Sequence, residues 1–116
     1  MTLKDIIAIQ KEFDGKHFGK FKWDQEINDE NLDALEYLLL CIVGELGETT
    51  NLVKKVLRGD CELSTIKDTL SYEIVDMFIY IIKLSYQLNI DLEECYLKKM
   101  AINKEKFTKF EITTND

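Results

Sequence analysis

Two pairs of carboxylates stand at the same short spacing in neighbouring parts of the chain. Glu45 and Glu48 lie three residues apart, and so do Glu73 and Asp76. On a helix, residues at i and i+3 share a face. At about 100° per residue, Glu45 falls on the stripe of Leu38, Leu52 and Val56, and Glu73 on that of Ile66, Tyr80 and Leu84. Both pairs thus interrupt apolar faces that two antiparallel helices would turn towards each other. An ionised carboxylate buried there without a partner is costly, and four together also repel one another. A bound cation relieves both effects. The only histidine, His17, is distant in sequence, which disfavours a di-iron site built on Glu-x-x-His motifs. An all-oxygen donor set suits a hard ion, Mg²⁺, with Mn²⁺ as a substitute. A single Glu-x-x-Glu is usually a solvated helix face; two, each set in an apolar stripe and joined by a hairpin, rarely coincide by chance.

The elements that must position these acids are all helical. The chain has no proline and five glycines, too few of either for a turn-rich fold, and its apolar residues recur at helical rather than alternating spacing. A first helix is expected from about Leu3 to Phe13. An irregular stretch, Asp14 to Asn28, follows and holds His17, Phe18, Phe21 and Trp23. A long second helix should run from near Asp29 to Leu57, closed by Lys54, Lys55, Arg58 and the stop Gly59. Ser64 is the expected N-cap of a third helix reaching Leu88. After a turn at Asn89-Ile90, Asp91 and Glu94 form a capping box for a fourth. The expected domain is single, residues 1–116, with its core over 29–110 and residues 111–116 as a fraying tail.

The third helix is apolar nearly all round, from Ile74 and Val75 through Met77, Phe78, Ile79, Tyr80, Ile81 and Ile82. Such a helix is buried on every side. Four helices of one chain hardly cover it, so a homo-oligomeric interface is expected, with Ile79 among its outward members.

Composition bounds the partners. In 116 residues, 15 Lys and Arg face 22 Asp and Glu, a net charge of −7. Nucleic-acid polymers and anionic membranes need a positive footprint and are excluded as main partners; a phosphorylated small molecule is compatible if a cation accompanies it. Three cysteines, Cys41, Cys61 and Cys95, with no C-x-x-C, give neither a disulfide framework nor a zinc site. The opening Met1-Thr2-Leu3-Lys4-Asp5 is no secretory leader, and the apolar run Ile74–Leu84 is too short to span a bilayer. A soluble, cytoplasmic protein is expected.

The run Ile42-Val43-Gly44-Glu45-Leu46-Gly47-Glu48, with Glu73-Ile74-Val75-Asp76 beginning 25 residues beyond Glu48, resembles the Glu-x-x-Glu … Glu-x-x-Asp signature of the MazG-like nucleotide pyrophosphohydrolases. Lys99, Asn103, Lys106 and Phe107 are similar to that family's Lys-x-x-x-Asn-x-x-Arg-aromatic ending. The resemblance spans roughly Leu32 to Phe107. It implies a four-helix MazG-like bundle, dimeric or tetrameric, that hydrolyses nucleoside triphosphates to monophosphate and pyrophosphate with Mg²⁺. By position, Glu45, Glu48, Glu73 and Asp76 would hold the metal, with Glu45 or Glu48 orienting or deprotonating water, and Lys99 and Asn103 would meet phosphates or sugar. Lys106 stands where the family most often has arginine, a point charge in place of a fork. Trp23, with Phe18 or His17, would stack a base, as in members of the dCTP pyrophosphatase-like branch; the plainer reading is that these aromatics staple the first helix to the core.

A phosphoribosyl-ATP pyrophosphohydrolase is the alternative within the same fold, and a catalytically silent module binding nucleotide or protein is the alternative outside enzymology. The Gly44-Glu45-Leu46 context and the aromatic segment favour the nucleotide hydrolase, and the presence of all four acids speaks against silence.

Overall fold

The computed structural model describes residues 1–17 and 19–112. Among them the chain is all-helical: α1 (Leu3–Lys16), α2 (Leu32–Leu57), α3 (Leu63–Gln87), α4 (Leu92–Lys106) and a final 3₁₀ turn, Thr108–Phe110. The tail expected to fray lies, over residues 113–116, outside the described residues, as does Phe18.

The helix limits follow from local chemistry. Thr2 and Asp5 form a reciprocal capping box that starts α1. Helix α1 runs on to Lys16, a turn beyond the expected end at Phe13, because Asp14 is drawn into the interior. Helix α2 starts at Leu32 rather than near Asp29. The Asn28 and Asn31 side chains bond neighbouring main-chain amides at Asn28 and Glu30, holding this segment in a turn in competition with the helix. At its other end Gly59 takes φ +82°. The Gly59 amide donates to the Val56 carbonyl and the Asp60 amide to that of Lys55, the paired bonds of a Schellman stop. Asn89, with φ 56°, ends α3 in the same way through Asn89 to Tyr86 and Ile90 to Ser85.

Two expected caps differ. Glu62, not Ser64, is the N-cap of α3, and it caps through its carbonyl, which accepts from the Thr65 amide, without a side-chain bond. Asp91 does cap α4, accepting from the Glu94 amide. The reciprocal half of the box is replaced by a Glu94–Lys98 ion pair at 2.8 Å.

Packing centres on the α2–α3 hairpin, with α1 laid against α3 and α4 touching α3 only sparsely. Ile27, Ala34 and Leu38 form the buried core, with Phe21, Trp23, Tyr80 and Leu84 packed around them. The expectation that α3 is buried on every side is not met within one chain. Ile82 is buried, but Ile74, Val75, Phe78 and Ile81 are exposed, while Ile79 is half-buried rather than outward. The physical reason lies in the open arrangement of α4. The radius of gyration is 18.3 Å, against about 13 Å for a compact domain of this length. Leu97, Met100 and Ile102 on α4 are exposed as well.

Candidate active site

The hairpin sets its acids opposite one another. Glu45 on α2 and Glu73 and Asp76 on α3 each offer a carboxylate oxygen, and these oxygens all lie within 4.8 Å of one another. All three side chains are half-buried, whereas Glu48 is exposed and stands outside this group of three. With every acid ionised the cluster has acceptors and no donors. One oxygen each of Glu45 and Glu73, Oε2 in both cases, is buried with no hydrogen-bond partner. Burial first, then a hydrogen bond shared with Glu73 and the charges of Glu48 and Asp76, push the Glu45 carboxyl up to about 7. A proton on Glu45 is one way to satisfy the pair; a cation is the other. The donor set is entirely hard oxygen, as Mg²⁺ or Mn²⁺ requires, and the two orphaned oxygens are the observation that fits such an ion.

One helical turn along the hairpin the lining changes from acidic to aromatic. Tyr37, Cys41 and Glu45 follow one another at i, i+4 on α2, and Asp76 and Tyr80 do so on α3. Burial, then the neighbouring Cys41 thiol and the Glu45 charge, push the Tyr80 hydroxyl up to about 12. Phe21, Trp23 and Tyr37 form a connected aromatic group, with Phe21 centred 4.7 Å from each of the other two rings. Trp23 in turn lies 6.4 Å from Tyr80. The linker between α1 and α2 therefore delivers Trp23 to the side of Tyr80, which stands one helical turn from Asp76. His17 is elsewhere, stacked on Phe13 at 4.0 Å with its Nδ1 2.6 Å from the Phe13 carbonyl oxygen.

The structure does not bring the α4 residues to the acids within one chain. Lys99 and Lys106 are exposed and Asn103 is half-buried on a helix that has little contact with the hairpin. Lys106 lies over the Phe107 ring, Nζ 5.3 Å from its centre.

A second polar group was not anticipated from the sequence. Asp14, 1% exposed, pairs with Lys83, 7% exposed, at 3.4 Å. Asp14 also accepts from Gln10 at 2.8 Å and from the Tyr86 hydroxyl. The Lys83 ammonium sits 4.2 Å from the centre of the Trp23 ring. Asp14 and Lys83 are 69 residues apart, and no local spacing links them; a lysine inside an otherwise apolar run was the one available signal.

Over 112 residues the chain is 28% identical to dCTP pyrophosphatase 1 of Mus musculus, an alignment covering 91% of this chain and 59% of that protein. The chain thus spans less than two thirds of that relative's length. It is 35% identical over 82 residues to the Gene 37 protein of Mycobacterium phage L5, covering 66% of this chain and 72% of that protein. No family model and no solved structure matches.

Proposed function

We infer, from a chain that belongs with the MazG-like nucleotide pyrophosphohydrolases, that this protein hydrolyses nucleoside triphosphates to monophosphate and pyrophosphate with Mg²⁺. Motif order and the distant relationship to dCTP pyrophosphatase 1 support nucleotide pyrophosphohydrolysis in general. The observation that carries the specific reading is the trio Glu45, Glu73 and Asp76, with two buried oxygens lacking any donor. Placing them there opposes folding, and in a helical hairpin such a cost is expected where the acids serve a ligand.

Glu45, Glu73 and Asp76 would hold the cation, and Glu48, exposed beside them, would complete the set or face the water. When bound, Mg²⁺ supplies the positive charge that a triphosphate needs at an acidic protein and polarises the attacking water. The chain's own work is positioning. Phosphoryl-type transfer needs alignment and electrostatics more than a covalent nucleophile, so no cysteine or serine takes part. Glu48, exposed and outside the trio, would orient the water or accept its proton. Trp23 and Tyr37 would offer aromatic surface to a base beside Tyr80, which stands one turn from Asp76; His17 is engaged with Phe13 instead, and a stacking role for Phe18 rests on the resemblance alone. Lys99, Asn103 and Lys106 would meet phosphates or sugar once α4 is brought over a hairpin.

Assembly belongs to the same reading. The exposed apolar faces of α2, α3 and α4, among them Leu40, Val43, Phe78, Ile81 and Met100, form a larger surface than a monomer ordinarily leaves open. A homodimer or homotetramer covers it and brings lysines of α4 towards a partner's acids. No described helix is long and apolar enough to cross a membrane, in keeping with work on a cytoplasmic nucleotide pool.

The test is a screen of common and damaged ribo- and deoxyribonucleoside triphosphates, with phosphoribosyl-ATP included, for pyrophosphate release with Mg²⁺. Release from one or more triphosphates is the expected result. Turnover of phosphoribosyl-ATP alone moves the protein to histidine synthesis, and no release from any substrate makes it a binding module.

A further inference from the structure

We propose that the buried Asp14–Lys83 pair is a positioning device for the nucleobase subsite: it fixes Trp23 in the aromatic wall and so sets nucleotide affinity, not the rate of the chemical step. The inference rests on the triphosphate reading above and adds residues to it that neither motif nor relative assigns.

Trp23 is gripped at two points. Its carbonyl accepts from the Gln87 side-chain amide. Its ring carries the Lys83 ammonium 4.2 Å from its centre. Both grips come from the last turns of α3, yet Trp23 lies in the irregular linker between α1 and α2, which has no regular structure of its own to hold it. A bare ammonium at this depth is expensive. Asp14 compensates it, and Asp14 is itself oriented by Gln10 and Tyr86. A cation held over an indole out of water gives a stronger contact than an exposed one. The same ammonium lies 5.1 Å from the centre of the Tyr80 ring, so the pair ties Trp23 to Tyr80, 6.4 Å away and one helical turn from Asp76. A structural staple alone needs no charge: a leucine at 83 would pack against Trp23 without the cost of burying an ion pair. What the charged pair adds is a single ring orientation.

The chain has one tryptophan, so its fluorescence reports this site alone. Lys83→Met keeps the stem but leaves Asp14 unpaired, so the informative variant is the double change Asp14→Asn with Lys83→Met, in which Gln10 can turn its amide to meet the asparagine. In that variant the Trp23 emission should move to longer wavelength as the ring loosens. KM for the best triphosphate should rise about tenfold, the scale of one desolvated cation–π contact, with kcat within about twofold of wild type and the Mg²⁺-induced rise in Tm retained. An unchanged KM in a folded double variant overturns the proposal, and so does a kcat that falls together with the folded fraction. If the wild type releases no pyrophosphate, the hydrolytic reading fails separately, and Trp23 emission is titrated with Mg²⁺ and nucleoside triphosphate instead. About tenfold weaker binding by the double variant then upholds the positioning role, and equal binding, or none by the wild type, refutes it.

Discussion

Glu45 and Glu73 face each other across the α2–α3 hairpin with one oxygen of each buried and lacking a hydrogen-bond donor. Neither helix needs these residues to form, and leucine at either position would continue the apolar stripe. The hairpin is thus built around an electrostatic opposition that only a proton or a cation relieves.

In the metal-free protein the proton does so, and stability should depend on pH accordingly. Glu45 titrates near 7 in the fold against an ordinary 4.5. Its protonated form favours the folded state, so its contribution is fully present below about 4.5 and is lost as pH rises through about 7. Thermal melting in chelator should show a fall across that window which is absent in Glu45→Gln. Millimolar Mg²⁺ should raise Tm most at the upper end, where the carboxylate is free to bind. A wild type and a Glu45→Gln variant with the same pH profile would remove the strain from this residue.

Amide variants of the other acids should separate folding from function. Asp76→Asn keeps the shape and lowers repulsion within the trio, so metal-free stability should hold or rise while turnover falls by orders of magnitude. Glu48→Gln should lose turnover as well, but with a smaller effect on Mg²⁺ affinity, because Glu48 is exposed and outside the trio. Calorimetric Mg²⁺ titration beside a pyrophosphate assay reads both. Activity lost only in proportion to folded protein would assign the residue to structure.

Assembly should depend on the outward face of α3. Phe78→Asp or Ile81→Asp places a charge where one chain leaves apolar surface exposed, so the isolated fold tolerates it but a covered interface does not. Sedimentation should show an oligomer for wild type and dissociation for either variant at micromolar concentration. A wild type that sediments as a monomer would contradict the oligomeric reading outright.

The stop after α2 gives a purely conformational test. A Cβ at Gly59 meets nothing within 4 Å, but φ is +82°. Gly59→Ala should therefore cost about 1–2 kcal/mol through the backbone alone, read as a lower urea midpoint with the Mg²⁺ response intact. An unchanged midpoint would show that the Schellman stop does not hold Gly59 in the left-handed region.

The helical hairpin and the meeting of Glu45 with Glu73 and Asp76 were legible in the sequence because both depend on short-range periodicity, which places a residue on a face without knowledge of what lies opposite. The glycine and asparagine stops were legible for the same reason. The start of α2 was not, since Asn28 and Asn31 compete for the backbone through side-chain bonds that no apolar pattern records. Nor was the Asp14–Lys83 pair, which depends on how α1 lies against α3. Glu48 shows the limit of periodicity itself: it shares a helix with Glu45 but points one step further round, into solvent.

The most direct measurement is pyrophosphate release from a deoxynucleoside triphosphate as Mg²⁺ is titrated into chelated protein, run in parallel on wild type and Asp76→Asn. If Glu45, Glu73 and Asp76 hold the ion that hydrolysis needs, wild type is silent in chelator and gains activity saturably with Mg²⁺, while Asp76→Asn, folded and equally stable, stays near the chelated baseline. Release that proceeds in chelator, or an Asp76→Asn variant that follows the wild-type titration, would contradict the account.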